Sequence, residues 1–206
     1  MSVITISREF GSGGRELGKR LADLLGYVYY DKEILESITN QENTSEWYAE
    51  KLLERMVVPR IPLHFGRSFS FYGPTTQRAV ELLVTERKAI QLLAEKGNCV
   101  IVGRGSNVIL KEKSPFNIFV YADMTAKIAR CRKYASENEL LSEKEMEKKI
   151  RQIDAARAKN LELFSGCKWG DKKEYHLCVN TSGLAIKDIA PLISEYAKNC
   201  LGRNEK

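Results

Sequence analysis

The sequence predicts an α/β domain in which helices cover both faces of a mostly parallel, five-stranded sheet. Five short runs of apolar, β-branched or aromatic residues alternate with longer stretches of helical periodicity. The first run, residues 2–7, carries no charge, which is typical of a strand buried on both faces of a parallel sheet. A glycine-rich loop joins this run to a stretch of helical spacing. With 206 residues, the chain is expected to form a single domain over residues 1–206.

The predicted strands are short, and helical segments separate them along the chain. They are residues 2–7, 27–30, 99–102, 117–121 and 175–180. Strands that alternate with helices form a parallel sheet with its ligands at the carboxyl ends of the strands. The residues that directly follow each strand are therefore the first candidates for a functional site.

The helices are predicted from the spacing of apolar residues and from residues that are typical of helix ends. The spacing from Leu17 to Leu25 stops at Gly26, which is a typical helix end. Ser142 and Glu145 have the spacing of a capping box and open a long charged helix. The full set of predicted helices is residues 13–25, 32–38, 45–56, 76–96, 125–135, 142–164 and 184–200.

Residues 40–80 are predicted to be a variable insert. After the helix near 45–56, this segment continues as a long loop with three of the five prolines and an aromatic cluster at residues 65–73. Loops of this length within a compact domain are usually functional or mobile. The sequence does not distinguish a lid from a dimer arm here, so homo-oligomerisation stays open.

Composition indicates a globular protein, with 43% hydrophobic and 29% charged residues. No apolar run approaches the roughly 18 residues of a membrane span, and no basic region precedes an apolar segment as in a signal peptide. We therefore expect a cytoplasmic protein without a membrane partner. Five scattered cysteines without a C-x-x-C pair, together with two histidines, argue against zinc, and no residue is assigned as a metal ligand.

The charge balance indicates an anionic partner. The formal net charge of +6 fits a nucleotide or a nucleic acid, and fits a lysine-rich solvated surface equally well. Basic residues are not interleaved with aromatic ones as in RNA-binding signatures. Nucleic acid is therefore the least favoured of these partners.

The loop after the first strand has the pattern of a phosphate-binding loop. Gly11, Gly13 and Gly14 allow the backbone to direct N–H groups and a helix N-terminus toward an anion. Arg15 stands where a P-loop carries its lysine. The P-loop pattern is incomplete, because Glu9 occupies the position of its first glycine and no hydroxyl follows Arg15. From the loop alone, a glycine-rich turn without a ligand is an equal alternative.

Two further polar residues follow predicted strands. Asp31 comes directly after the second strand, and Arg104 comes shortly after the third. Because the carboxyl ends of parallel strands meet at one edge, these residues should converge with the glycine loop. Arginine binds phosphate bidentately, and arginines on a closing lid supply the charge that phosphoryl transfer requires.

With these residues identified, the chain resembles the cytidylate kinase-like family, relatives of the bacterial cytidylate kinases among the P-loop nucleoside monophosphate kinases. The resemblance covers most of the chain and is weakest over residues 40–80. Its Gly103-Arg104-Gly105 and Trp169-Gly170-Asp171 segments together are fairly specific. The segments that carry it are residues 7–16, 30–31, 100–105, 153–157, 169–171 and 175–182.

The resemblance implies a P-loop kinase-like, three-layer α/β/α fold with a five-stranded parallel sheet and a helical lid near residues 136–170. It also implies ATP and Mg²⁺ as cofactors and nucleotides as substrates. The implied reaction is phosphoryl transfer from ATP to CMP or dCMP, giving ADP and the diphosphate.

The same resemblance assigns roles to individual residues. The implied catalytic residues are Arg15, Asp154 and Arg157. The implied cofactor-binding residues are Gly11, Ser12, Gly13, Gly14, Arg15, Glu16 and Arg130. The implied substrate-binding residues are Asp31 and Arg104.

Several of these residues also have a purely structural interpretation. Asp31 fits a helix cap, and Asp154 with Arg157 fits an i, i+3 pair on one helix. Arg130 fits a solvated helix face. On this view the residues stabilise helices and contact no ligand.

Departures from the family pattern leave two alternatives open. Arg15 keeps the lysine's charge with a bulkier planar fork, and the missing hydroxyl removes an expected Mg²⁺ contact. Gly105 also replaces the aspartate of the family's Gly-Arg-Asp segment. A nucleotide-binding regulatory protein with weak or no catalysis is the first alternative. A kinase of another small acceptor is the second, because residues 65–73 have no counterpart in the resemblance.

Overall fold

A computed structural model describes residues 2–31, 84, 87–134 and 141–202. The strands are β1 (Val3–Arg8), β2 (Val28–Tyr30), β3 (Cys99–Val102), β4 (Phe116–Tyr121) and β5 (Leu177–Asn180). The helices are α1 (Gly14–Leu25), α2 (which includes residues 87–95), α3 (Ser106–Ile109), α4 (Met124–Tyr134), α5 (Glu143–Ser165) and α6 (Ile186–Leu201). Short 3-10 turns occupy Lys111–Lys113 and Lys172–Glu174.

The five strands form one parallel sheet in the order β2-β3-β1-β4-β5. Strand β1 is central, with Val3 opposite Cys99 of β3 and Ile4 opposite Phe116 of β4. Residues 3–7 of β1 are buried, as the absence of charge in this run predicts. The carboxyl ends of all five strands therefore meet at one edge of the sheet.

Helices pack on both faces of the sheet. Ile4 and Ile6 of β1 pack in a core with Leu21 of α1 and with α6. Val3 points to the opposite face, where it packs with Ile90 of α2. Burying a side chain of this size contributes roughly 1.5–3 kcal/mol. The predicted three-layer α/β/α fold with a five-stranded parallel sheet is confirmed.

Helix α5 begins with the predicted capping box. Ser142 Oγ accepts a hydrogen bond from the Glu145 N–H at 3.4 Å, and the Glu145 carboxylate accepts one from the Ser142 N–H at 2.9 Å. Farther along α5, Met146 and Ile150 pack with Ile128 of α4. The cap and this small core together fix α5 against α4.

Ser142→Ala is expected to lower the Tm by about 2–4 °C, because the first turn of α5 loses its capping acceptor. Thermal unfolding followed by circular dichroism measures this shift. Glu145→Gln, which preserves the capping box, is the control and should lower the Tm less. Equal shifts for the two variants would contradict the role given to Ser142.

Where the structure describes both ends of a predicted element, its boundaries agree with the structure to within two residues, and the larger differences have local causes. The short helix α3 was not predicted. Strand β5 begins at Leu177 because Tyr175 still caps the preceding 3-10 turn. Helix α6 begins at Ile186 because the chain first turns, with the Leu184 N–H bonded to the Thr181 carbonyl at 3.2 Å.

Several predicted segments lie outside the described residues. They are the helices at 32–38 and 45–56, the whole variable insert at 40–80 with its loop at 65–73, most of residues 76–86, residue 135 and the first part of the lid segment at 136–140. The part of the predicted helix 76–96 that is described is helical through residues 87–95. No described helix has the length and apolar character needed to cross a membrane.

Candidate active site

The loop between β1 and α1 adopts a conformation that favours glycine. Gly11 and Gly13 have φ values of 76° and 83°, in the left-handed region. A Cβ on Gly11 would lie 2.9 Å from both the Lys127 carbonyl oxygen and Cys131 Sγ. Gly13 is the N-cap of α1, and no side chain caps the helix there. The first backbone N–H groups of α1 therefore face outward, as in an anion-binding helix N-terminus.

Neighbouring side chains hold the carbonyl oxygens of this loop. Arg130 of α4 donates to the Gly11 carbonyl at 2.7 Å and to the Thr181 carbonyl at 3.2 Å. The Thr181 hydroxyl donates to the Ser12 carbonyl at 2.7 Å. The Ser12 hydroxyl donates to the Glu9 carbonyl at 2.8 Å. The Ser12 N–H also donates to the Glu9 carbonyl, at 3.3 Å. These bonds fix the loop, and the N–H groups at the start of α1 are the ones suited to bind a ligand.

Next to the loop lies an ion cluster in which the buried Lys127 contacts the partly buried Glu9 and Asp154. Lys127 Nζ lies 2.9 Å from Glu9 Oε2 and 3.0 Å from Asp154 Oδ2. Asp154 Oδ1 also accepts the Phe10 N–H at 2.6 Å, and Glu9 accepts the Ala122 N–H at 3.2 Å. Burial alone would lower the pKa of Lys127, but the hydrogen bonds that its ammonium group donates to these carboxylates raise it above its ordinary value. A charged Lys127 therefore links α4, α5 and the loop.

A second ion cluster surrounds Asp31, which follows β2 and is 7% exposed. Arg15 Nε lies 2.7 Å from Asp31 Oδ2, and Arg8 Nη2 lies 3.5 Å from Oδ1. The Tyr29 hydroxyl donates to Oδ2 at 3.3 Å. Burial and the charge of Asp31 raise the pKa of Tyr29 to about 12, so this donor keeps its proton at neutral pH. An arginine of the glycine loop thus contacts the residue that follows β2.

Arginines from three elements approach one another at this edge. Arg157 of α5 donates to the Arg8 carbonyl at 3.0 Å, and its guanidinium lies 5.7 Å from the centre of the Phe10 ring. Burial, with the charges of Arg157 and Arg104, lowers the pKa of Arg8 to about 10. Burial also lowers the pKa of Arg157, and the positive charge of Arg104 lowers it further. The edge is therefore strongly positive, which suits an anionic ligand.

The sequence-predicted residues lie in two groups at this edge. Arg15, Asp31, Arg104 and Arg157 belong to the arginine-rich group around the ends of β1, β2 and β3. Asp154 and Arg130 contact the backbone of the glycine loop itself, at Phe10 and Gly11.

Glu16 is turned along α1, where Arg20 contacts it at 2.9 Å. Asp154 and Arg157 also contact each other at 3.7 Å on α5. This i, i+3 pair can therefore stabilise α5 while both of its residues also contact the chain at the end of β1 and in the glycine loop.

The sequence patterns assign no role to Arg8, Lys127 or Thr181, which the structure places in the site. Lys127 is one of several basic residues on its helix and carries no local signal of burial. Thr181 directly follows β5, at the edge where ligands are expected, so its position could have indicated a role in the site. Arg8 offered another signal, because it is the one charge at the end of an otherwise uncharged strand.

Nucleotide phosphates fit the glycine loop, since its N–H groups and the nearby arginines are suitable donors. A metal would depend on the nucleotide for ligands. Within residues 2–31, 87–134 and 141–202, no group of three or more His, Cys, Asp or Glu could hold a metal ion. Glu9 and Asp154 are already bound to Lys127. A Mg²⁺ ion would therefore be held mainly by phosphate oxygens and water, which is common for this ion.

Comparison with known proteins identifies a family and a fold. The sequence model of the cytidylate kinase-like family matches residues 3–183, a range that includes every site residue described above. No curated protein matches the chain.

Solved structures share the architecture. An uncharacterized protein from Eubacterium ventriosum has a TM-score of 0.69 at 23% identity, over 96% of this chain and 99% of that chain. The shikimate kinase from Bacteroides thetaiotaomicron has a TM-score of 0.58 at 16% identity, over 96% of this chain and 98% of that chain. The shikimate kinase from Acinetobacter baumannii, solved in complex with shikimate, has a TM-score of 0.55 at 17% identity, over 100% of this chain and 96% of that chain. These similarities establish the P-loop kinase fold.

Proposed function

The chain belongs to the cytidylate kinase-like family, and we propose that it transfers the γ-phosphoryl group of ATP to CMP or dCMP. The bond between the γ-phosphorus and the β–γ bridging oxygen breaks, and a bond forms from that phosphorus to an oxygen of the acceptor phosphate. The products are ADP and CDP or dCDP. The family and the P-loop kinase fold support the coarser class, a kinase-type phosphotransferase.

The observation that carries this proposal is the contact between Arg15 and Asp31. Arg15 lies in the first turn of α1, next to the glycine loop where the donor phosphates would bind, and Asp31 is part of the proposed acceptor site. The 2.7 Å distance between them means that one side chain spans the two sites. Donor and acceptor phosphates bound there would be close enough to react, and such positioning is the main requirement of phosphoryl transfer.

The donor side of this proposal uses the loop backbone. The N–H groups of Gly11 and of residues 13–16 bind the phosphates of ATP, while Ser12 and Arg130 donate to carbonyl oxygens of the loop. Arg15 contributes its charge to the same phosphates. A Mg²⁺ ion that entered with the nucleotide would supply positive charge to the phosphate oxygens during transfer.

The acceptor side uses Asp31 and Arg104, with α5 as part of the lid. Arg104 binds the acceptor phosphate, and Asp31 orients the acceptor beside Arg15. Arg157 supplies positive charge to the moving phosphoryl group, since phosphoryl transfer concentrates negative charge on its oxygens. Asp154 supports this geometry by binding the Phe10 N–H and Lys127.

Arg104→Ala is expected to weaken CMP binding roughly 10–100-fold while ATP binding stays within about twofold, because a charge-assisted phosphate contact is lost on the acceptor side alone. Separate calorimetric titrations of CMP and ATP measure the two affinities. If the affinities for CMP and ATP fell equally, the assignment of Arg104 to the acceptor site would be wrong.

A regulatory nucleotide-binding protein is the second candidate. The ion pairs of Lys127 with Glu9 and Asp154 favour it, because these carboxylates beside the loop are already engaged and no hydroxyl follows Arg15 to contact a metal. This candidate predicts a nucleotide-induced rise in Tm without a diphosphate product from any acceptor. Product from a non-nucleotide alcohol would instead indicate a kinase of another small acceptor.

A further inference from the structure

Arg8 ends β1 at the edge of the sheet that carries the proposed acceptor residues. Its side chain crosses to the turn after β3, where a Cβ on Gly103 would collide with the Arg8 guanidinium. Gly103 has a φ of 88° and directly precedes Arg104. The Arg8 guanidinium therefore lies against the backbone that carries Arg104.

Positive charge dominates the surroundings of Arg8 within the described part of the chain. Arg8 Nη2 lies 3.5 Å from Asp31, and Arg15 contacts the same carboxylate more closely, at 2.7 Å. Arg157 binds the backbone carbonyl of Arg8, which adds a further cation close by. The charges of Arg157 and Arg104 both act on Arg8. Asp154 contacts Arg157 at 3.7 Å, so carboxylates belong to this group as well. Guanidinium groups that converge at the carboxyl ends of parallel strands are suited to bind an anionic ligand.

We propose that Arg8 is a further acceptor-binding residue, whose guanidinium binds the acceptor phosphate together with Arg104. This inference rests on the proposed function, because Asp31 and Arg104 define the acceptor site. The guanidinium fork pairs bidentately with phosphate oxygens, and lysine does not reproduce this geometry. Two such forks at one edge select a phosphate monoester over a neutral alcohol. Arg8 thereby restricts the acceptors to phosphate monoesters.

Three variants test the inference: Arg8→Gln, Arg8→Lys and the control Arg151→Gln. Arg151 lies exposed on α5 and contacts Glu147 of the same helix at 2.6 Å, so this control removes the same charge elsewhere. Circular dichroism first establishes that each variant is folded. Calorimetric titration then gives the dissociation constants of CMP, inorganic phosphate and ATP separately. Inorganic phosphate reports on the anion site without a base or a sugar.

Arg8→Gln is expected to weaken CMP and inorganic phosphate roughly 10–100-fold and to leave ATP within about twofold. Arg8→Lys should fall between wild type and Arg8→Gln, because it keeps the charge and loses the fork. Arg151→Gln should bind all three ligands as the wild type does. Equal CMP affinity in Arg8→Gln and Arg151→Gln would overturn the inference. Equal loss of CMP and ATP in Arg8→Gln would also overturn it, because a general structural role would then suffice.

The inference and the proposed function fail separately. If Arg8-dependent binding of CMP and phosphate is found without transfer from ATP, the inference stands and the kinase function is wrong. If Arg8→Gln converts CMP with the KM of the wild type, the kinase function stands and the inference is wrong. If Arg8→Gln does not fold, Arg8→Lys decides, since a selective loss of CMP and phosphate affinity is expected there too. A wild type that binds neither CMP nor phosphate overturns the inference.

Discussion

Lys127→Met is expected to lower the free energy of unfolding by about 2–4 kcal/mol, because two partly buried carboxylates lose the buried cation between them. Glu9 and Asp154 are 25% and 14% exposed, so water cannot fully replace the ammonium group. Methionine keeps most of the apolar length of lysine, so the loss reflects charge rather than volume. Urea unfolding at neutral pH, followed by far-UV circular dichroism, measures it.

The control for Lys127→Met is Arg151→Met, which breaks an ion pair on the surface of α5. Exposed pairs contribute about 0.2–1 kcal/mol, so this variant should unfold almost as the wild type does. Adding Asp154→Asn to Lys127→Met should restore part of the loss, because one of the uncompensated charges is then removed. If Lys127→Met lowered the free energy of unfolding as little as Arg151→Met does, the stabilising role given to Lys127 would be wrong.

Gly11→Ala is expected to weaken ATP binding roughly 10–100-fold, because a displaced loop loses hydrogen bonds to the charged phosphates. The new Cβ would lie 2.9 Å from the Lys127 carbonyl oxygen, which is backbone and cannot turn away. The φ of 76° adds strain of roughly 1–2 kcal/mol. Calorimetric titration of ATP into the folded variant measures the loss.

Gly26→Ala separates backbone strain from loop geometry. Gly26 ends α1 with a φ of 67°, close to that of Gly11, but a Cβ there has no neighbour within 4 Å. We therefore expect a similar conformational cost in thermal unfolding with unchanged ATP affinity. If Gly11→Ala bound ATP as tightly as Gly26→Ala does, the loop would not be the donor site.

Local patterns were sufficient to predict the fold. The uncharged run of β1 predicted a strand covered on both faces, and its central position in the sheet agrees. The spacing through Leu17 and Leu21 predicted the buried face of α1, and the capping box at Ser142 predicted the start of α5. The differences at β5 and α6 arise from turns, whose hydrogen bonds are weakly encoded in apolar periodicity.

The approximate location of the site could also be predicted, because parallel strands place their carboxyl ends at one edge. This rule brings the glycine loop, Asp31 and Arg104 together without knowledge of side-chain contacts. It cannot specify which partners these side chains take. The contact between Arg15 and Asp31 depends on how α1 and β2 pack, and no spacing in the sequence indicates it.

The supporting residues of the site could not be predicted for the same reason. Asp154 binds the Phe10 N–H across 144 residues of sequence, and Lys127 binds Glu9 across 118. A lysine in a charged helix normally indicates a solvated face. Only the tertiary packing of α4 and α5 against the loop makes Lys127 buried.

Phosphorus NMR of the wild-type protein with ATP, Mg²⁺ and CMP tests the central claim most directly. The account predicts that the γ-phosphate signal of ATP falls while the β-phosphate signals of ADP and CDP rise in equal amounts. Cytidine in place of CMP should give no transfer, because it lacks the accepting phosphate. Unchanged ATP signals with every nucleoside monophosphate, or release of inorganic phosphate without a new diphosphate, would contradict the claim.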